Sequence, residues 1–143
     1  MTEVRECMTK DCQWIQPDTP IIEAAKLMVE GDFGFLPVGD GEQLLGMVTD
    51  RDTCVRAVAY GRDLQTTAAR DIMSDETYYC YDDQDTEDVC DNMAELQIRR
   101  MPVVDKQKRL VGVISLGDLS KSTDHKSIGN AEEDITMPNA KAA

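Results

Sequence analysis

Moved along itself by 65 positions, this sequence meets a second copy of its own pattern. "MTKDCQWIQPDTPIIEAAKLM" from Met8 falls on "MSDETYYCYDDQDTEDVCDNM" from Met73, and "FLPV" from Phe35 falls on "RMPVV" from Arg100. One extra residue then enters the second copy, after which Gly46 matches Gly112 and Asp52 matches Asp118. An internal repeat constrains a fold more than any single motif, because each copy is one supersecondary unit that needs its neighbour to complete a core. The extra residue falls where "GDGEQ" in the first copy corresponds to "DKQKR" in the second, both of turn composition, so a hairpin loop absorbs it.

Each copy carries the same element pattern. Ile21, Ala24, Ala25 and Met28 align with Thr86, Val89, Cys90 and Met93, an i, i+3, i+4, i+7 stripe that predicts an amphipathic helix in both. Thr19 as N-cap and Pro20 at the first helical position open the first helix, and Asp83 or Asp85 caps the second. Strands are expected at Gln13–Gln16, Phe35–Val38 and Leu44–Thr49, then at Tyr78–Tyr81, Arg100–Val104 and Leu110–Ser115. Helices follow at Asp50–Tyr60 and Leu116–Ser120. The expected organisation is repeat 1 over 1–61, a polar linker over 62–70, repeat 2 over 71–121, and a polar, disordered tail over 122–143. A unit of about 55 residues is small to stand alone. Two copies packed through their sheets would share a core around a pseudo-twofold axis.

Composition narrows the function. Fifteen basic against 28 acidic side chains give a formal charge of −13, which opposes a phosphate backbone, so no nucleic-acid partner is expected. No apolar run approaches the ~20 residues of a membrane span, and "MTEVRECMTK" has no secretory apolar stretch, so a cytoplasmic protein off the membrane is expected. From Asp71 to Glu95 the chain has ten acids and no Lys or Arg. A divalent-cation site at "DDQD" is one reading; a solvated face with acids at a helix start is the plainer one, since the spacing and Gly turn of a calcium loop are missing. Five cysteines without a C-x-x-C pair, and a single histidine, His125, disfavour both a zinc site and a Cys–His nucleophile. The thiols read as reduced and mostly core-forming, with a redox role for Cys7 or Cys12 as the alternative.

Both copies end in the pattern G-h-h-[T/S]-x-x-D, as "GMVTDRD" (Gly46 to Asp52) and "GVISLGD" (Gly112 to Asp118). A carboxylate accepts the two hydroxyl protons of a ribose diol, and a hydroxyl beside free amides at a helix start donates to phosphate. Asp52 and Asp118 are therefore ribose candidates, Thr49 and Ser115 phosphate candidates. The competing reading makes each aspartate a helix cap.

These tandem copies, with M-[T/S] at the start, an x-P-V strand and the G-h-h-[T/S]-x-x-D ending, resemble a pair of cystathionine-β-synthase (CBS) domains, a Bateman module, over roughly Val4 to Ser122. The resemblance implies an α+β fold of two pseudo-symmetric β-α-β-β-α repeats packed sheet to sheet, adenine-nucleotide binding in two clefts, homodimers, and regulation of a partner protein of unknown identity. It implies a cleft around Asp118 with Val113, Ser115 and Arg100 of the same repeat, and Cys12, Gln13, Phe33 and Gly34 from the other. The Asp52 cleft would take Met47, Thr49 and Arg51 locally, with Thr77, Tyr78, Ile98 and Arg99 across the interface. Phe35 stands where Arg100 stands in the other copy and Asp50 adds a charge beside Thr49, which favours a monophosphate or nucleoside over ATP there. With no nucleophile–base pair or acid/base constellation, the expected function is a stand-alone adenine-nucleotide sensor (AMP, ADP or ATP type), not an enzyme. It would have no catalytic cofactor and would act through ligand-linked dimer geometry. A ligand-free homodimeric scaffold with vestigial clefts is the alternative, and a small redox- or metal-responsive protein the third class.

Overall fold

The structure, a computed structural model, describes residues 1–10, 12–74, 77–121 and 125–136. Asp75 and Glu76 of the acidic run, and 122–124 and 137–143 of the expected tail, lie outside the described residues. The fold is mixed α+β, in two compact units.

Gln13–Thr77 forms one unit. Helix α1 (Ile21–Gly31) leads into the antiparallel hairpin β1 (Phe35–Asp40) and β2 (Gln43–Thr49). A short helix α2 (Asp50–Thr53) follows, then a π-helical turn (Cys54–Val58) and a second short helix, α3 (Ala69–Ile72). The hairpin turns at Gly41, whose φ of +64° suits glycine. The expected stripe holds: Ile21, Ala24 and Met28 are buried with Leu36, Val38, Val48, Ala57, Ala69 and Ile72.

Met1–Cys12 and Tyr78–Ala143 form the other unit. After a 3-10 turn (Val4–Glu6), strand β3 (Cys80–Tyr81) precedes helix α4 (Thr86–Leu96). Strands β4 (Arg100–Val104) and β5 (Leu110–Ser115) follow, then helices α5 (Leu116–Leu119) and α6 (His125–Ile135). The sheet order is β3-β4-β5, with β3 parallel and β5 antiparallel to β4. The two hairpins bulge at equivalent places, between Val38 and Gly39 and between Val103 and Val104, so the repeat extends to backbone irregularities.

Several local expectations give way to tertiary structure. The first strand of repeat 1 shrinks to a single bridge, Ile15 to Val38, and its counterpart to Cys80–Tyr81. Thr19 does not cap α1: its Oγ1 accepts from the Gln16 amide at 3.1 Å, and Pro20 is the N-cap. Asp85 does cap α4, accepting from the Glu87 amide. The helix expected over Asp50–Tyr60 changes winding after Thr53, where the π turn begins.

The units also part elsewhere than the linear division of repeats anticipates. Met1–Cys12 joins the second repeat because Val4 is fully buried in its core and the Val4 and Arg5 amides donate to the Gln84 and Asp82 carbonyls, both at 2.9 Å. The expected linker contributes to a core: Ala69 is fully buried, Leu64 packs against the same cluster, and the Ala69 amide donates to Thr19 O at 2.8 Å. Its polar side chains hide the few apolar ones that count. The expected tail forms α6, which buries Ala131 and Ile135 against α4. Its apolar positions are too sparse to announce a helix, and docking supplies what its composition does not.

Candidate functional site

The G-h-h-[T/S]-x-x-D segments run off β2 and β5 into α2 and α5, and the chain turns the same corner twice. Thr49 Oγ1 accepts from the Asp52 amide at 3.0 Å, while the Thr49 amide donates back to Asp52 Oδ2 at 2.9 Å. Ser115 Oγ accepts from the Asp118 amide at 3.1 Å and the Ser115 amide donates to Asp118 Oδ2 at 3.0 Å. These are reciprocal capping boxes. The hydroxyl and the carboxylate thus each perform a structural task, as the cap reading anticipates. The task leaves capacity over: a hydroxyl that accepts one bond still has its own proton to donate, and a carboxylate has a second oxygen.

The leading glycine of each segment has a separate reason. Met47 and Ser74 exchange both backbone bonds, at 2.9 and 3.3 Å, and Thr9 and Val113 do the same at 2.9 and 3.1 Å. A Cβ on Gly46 would lie 2.7 Å from Ser74 O, and one on Gly112 would lie 2.7 Å from Thr9 O. The M-[T/S] start of each repeat therefore lies beside the G-h-h strand of the other repeat, and only glycine admits it.

Register explains the rest of the local sets. Phe35 pairs with Thr49 and Pro37 with Met47; Arg100 pairs with Ser115 and Pro102 with Val113. Met47 and Thr49, like Val113 and Ser115, alternate onto one strand face. Phe35 and Arg100 occupy equivalent places, as the alignment expects. The unit of Asp118 holds Ser115, Val113, Arg100 and Cys12, whereas Gln13, Phe33 and Gly34 belong to the other. The unit of Asp52 holds Thr49, Met47, Arg51 and Thr77, whereas Tyr78, Ile98 and Arg99 do not.

Several candidates have commitments of their own. Ile98 is packed in its own unit's core, and Phe33 is partly buried against the core of its own unit. Thr77 Oγ1 donates to Ser74 O at 3.1 Å. Arg99 Nη1 is 2.9 Å from Glu132 Oε2 on α6. Gln13, Arg51, Tyr78 and Arg100 are exposed and Cys12 is half-buried.

Free amides at the helix starts are not equally available. In the first copy the Asp50 amide donates to Gly34 O at 2.9 Å and the Arg51 amide to Asp50 Oδ1 at 2.8 Å, so with the box all four are taken. This corrects the expectation of free N–H groups at both corners. In the second copy the Leu116 amide donates to Arg99 O at 2.9 Å, but Leu116 stands where Asp50 does and has no carboxylate to cap Gly117.

One charged neighbour escapes the sequence reading. Arg56 Nε lies 3.7 Å from Asp52 Oδ1, and Arg56 Nη1 donates to Ile72 O at 3.3 Å and Met73 O at 3.4 Å. Its i, i+4 spacing from Asp52 is the signal that would have found it.

Part of the acidic run is used structurally. Asp71 Oδ2 accepts from the Ala68 amide at 3.0 Å and Asp82 Oδ1 lies 3.8 Å from Arg5 Nη2. Among the described residues, no three His, Cys, Asp or Glu side chains form a group that could hold a metal ion. No helix there is long and apolar enough to cross a membrane.

The CBS domain family model matches residues 4–54 and 69–124. The CBS domain-containing protein YhcV of Bacillus subtilis is 39% identical over 140 residues, covering 97% of this chain and 99% of that protein. Among solved structures, Hypoxic Response Protein I with two coordinated zinc ions is 33% identical with a TM-score of 0.77, covering 86% of this chain and all of that one. The structure of CBSX2 in complex with AMP is 25% identical with a TM-score of 0.75, covering 85% and 96%. Twice-repeated corners, the glycine-gated strand starts and these likenesses agree, and the chain belongs to the CBS domain family as a tandem pair of repeats.

Proposed function

We propose that this chain is a regulatory module, not an enzyme, that binds an adenine nucleotide at its two hydroxyl–carboxylate corners. The observation that carries the reading is the pair of corners in register. Asp52 and Asp118 each keep an oxygen outside the capping box for a ribose diol, and Thr49 and Ser115 each keep a hydroxyl proton for a phosphate. The AMP complex of the related CBSX2 supports an adenosine ligand for this architecture. Phe35 opposite Thr49 and the Asp50 carboxylate on the Arg51 amide favour a nucleoside or monophosphate over a polyphosphate at the Asp52 corner. Arg100 opposite Ser115 makes the Asp118 corner the better phosphate site.

Binding would act by linkage: the ligand favours one geometry of a homodimer, and a partner protein reads that geometry. A second reading, a ligand-free homodimeric scaffold, draws on the capping boxes, which account for both hydroxyl–carboxylate pairs without a ligand.

Isothermal titration with AMP, ADP, ATP and S-adenosylmethionine separates the two. The nucleotide reading expects AMP to bind below millimolar concentration, with at least tenfold loss in Asp118→Ala, the scale of a removed charge-assisted hydrogen bond. Absence of binding by all four, in the native protein and in Asp52→Ala and Asp118→Ala alike, leaves the scaffold.

A further inference from the structure

Asp52 and Asp118 make the same capping box, and at Asp52 a cation faces the carboxylate oxygen that the box leaves over. Asp52 Oδ1 has Arg56 Nε at 3.7 Å, and the same guanidinium donates through Nη1 to the carbonyls of Ile72 and Met73. Those carbonyls lie just before Ser74, which exchanges both backbone bonds with Met47. One side chain thus ties the carboxylate after β2 to the segment that pairs alongside β2. The Asp52 side chain is 15% exposed and that of Arg56 51%, so the carboxylate is held between its own helix start and a cation at the surface. The second repeat carries Ser122 at the place of Arg56 and has no side chain there of comparable reach or charge.

We propose that Arg56 is a positioning residue for the Asp52 corner, and that it acts through Asp52 on a ribose diol. This rests on the reading that Asp52 receives a ribose. At 3.7 Å the guanidinium is too far for a hydrogen bond but near enough to attract the carboxylate. Oδ1 therefore keeps its lone pairs for a ligand while its direction is fixed. The anchor on Ile72 and Met73 fixes the guanidinium in turn, since a planar fork presents separate nitrogens to separate partners. Without Arg56 the carboxylate retains only the Thr49 amide and rotates about that bond, and a diol meets an acceptor that must first be ordered. The second repeat has Ser122 in the aligned position, so the two corners would differ in how strongly they require a diol.

The test measures ribose recognition at one corner. In the full chain carrying Asp118→Ala, titrations with adenosine and with 2′,3′-dideoxyadenosine give the ratio of affinities that the diol contributes. Arg56→Gln, whose amide can still donate to the Ile72 and Met73 carbonyls, is expected to lower that ratio by about tenfold, within the range of coupled neighbours. In a chain already carrying Asp52→Ala, Arg56→Gln should lower it no further, because Arg56 acts through that carboxylate. Equal loss for the two nucleosides would overturn the proposal by making Arg56 merely structural. An unchanged ratio in Arg56→Gln, or additive losses with Asp52→Ala, would overturn it as well. If the Asp118→Ala chain does not distinguish the two nucleosides and Asp52→Ala is silent, the ribose reading of Asp52 fails and Arg56 loses this role with it. That outcome differs from failure of Arg56 alone, in which Asp52→Ala still abolishes the ratio.

Discussion

At the scale of the residue, glycine and the hydroxyl–carboxylate pair answer to different demands. Gly46 and Gly112 have no conformational need for glycine, since neither has a positive φ. What they need is space, because the nearest obstacle to a Cβ is a backbone oxygen that cannot rotate away. Gly112→Ala is therefore expected to destabilise the protein by about 1–3 kcal/mol through overpacking, read as a lower midpoint in denaturant. Gly41, where a Cβ would meet no atom within 4 Å, would answer instead to its backbone angle. The capping residues were legible as a motif, because the spacing [T/S]-x-x-D both suits a ribose and makes a box. The sequence could not choose between these, and the structure shows that the box is made in either case. Arg56 stands four residues past the motif's aspartate, whereas Arg51 and Arg99 lie within or beside the motifs. Of those two, Arg99 is drawn toward α6 by Glu132.

At the scale of the element, periodicity was a reliable guide where an apolar stripe was dense. Helices α1 and α4 and strands β4 and β5 fall where the pattern places them, since a regular buried face leaves few alternatives. Helix α6 is the contrary case. Of its described side chains only Ala131 and Ile135 are buried, so no stripe stands out along the chain. Its hold on α4 is apolar with polar additions, the Gln97 Nε2 bond to Asp134 O at 3.1 Å and the Arg99–Glu132 pair. Ile135→Ala should cost about 2–4 kcal/mol as a large-to-small core change. Glu132→Gln should cost less than about 1 kcal/mol, because the ion pair is half exposed on both sides. Thermal unfolding of the two variants would show whether packing or charge fastens the helix; a larger effect from Glu132→Gln would contradict this order.

At the scale of the whole molecule, burial also sets a limit on pH. The Cys80 thiol is 1% exposed and its pKa is raised from 9.0 to about 12, chiefly by burial, with Cys7 and Asp82 adding to it. Below pH 9 the thiol is protonated whether the chain is folded or not. Above it the unfolded chain releases the proton and the folded one retains it, so stability falls as pH rises toward 12. The slope from this one group is about 1.4 kcal/mol per pH unit. Denaturant unfolding between pH 8.5 and 10.5 should show a shallower decline in Cys80→Ala than in the native protein; parallel declines would remove Cys80 as the cause.

The sequence by itself determined the repeat, its elements, the matched corners and the family to which they belong, because each depends on residue types at short, regular spacing. Only tertiary structure decided that 1–12 would leave its own repeat to complete the other's core, and that Leu64 and Ala69 of the expected linker would join a core. It alone decided as well that a sparse polar segment would become α6. The physical reason is common to all three. Each segment carries only a few apolar side chains, too few to form structure locally, and it is fixed by backbone bonds and burial against residues far along the chain.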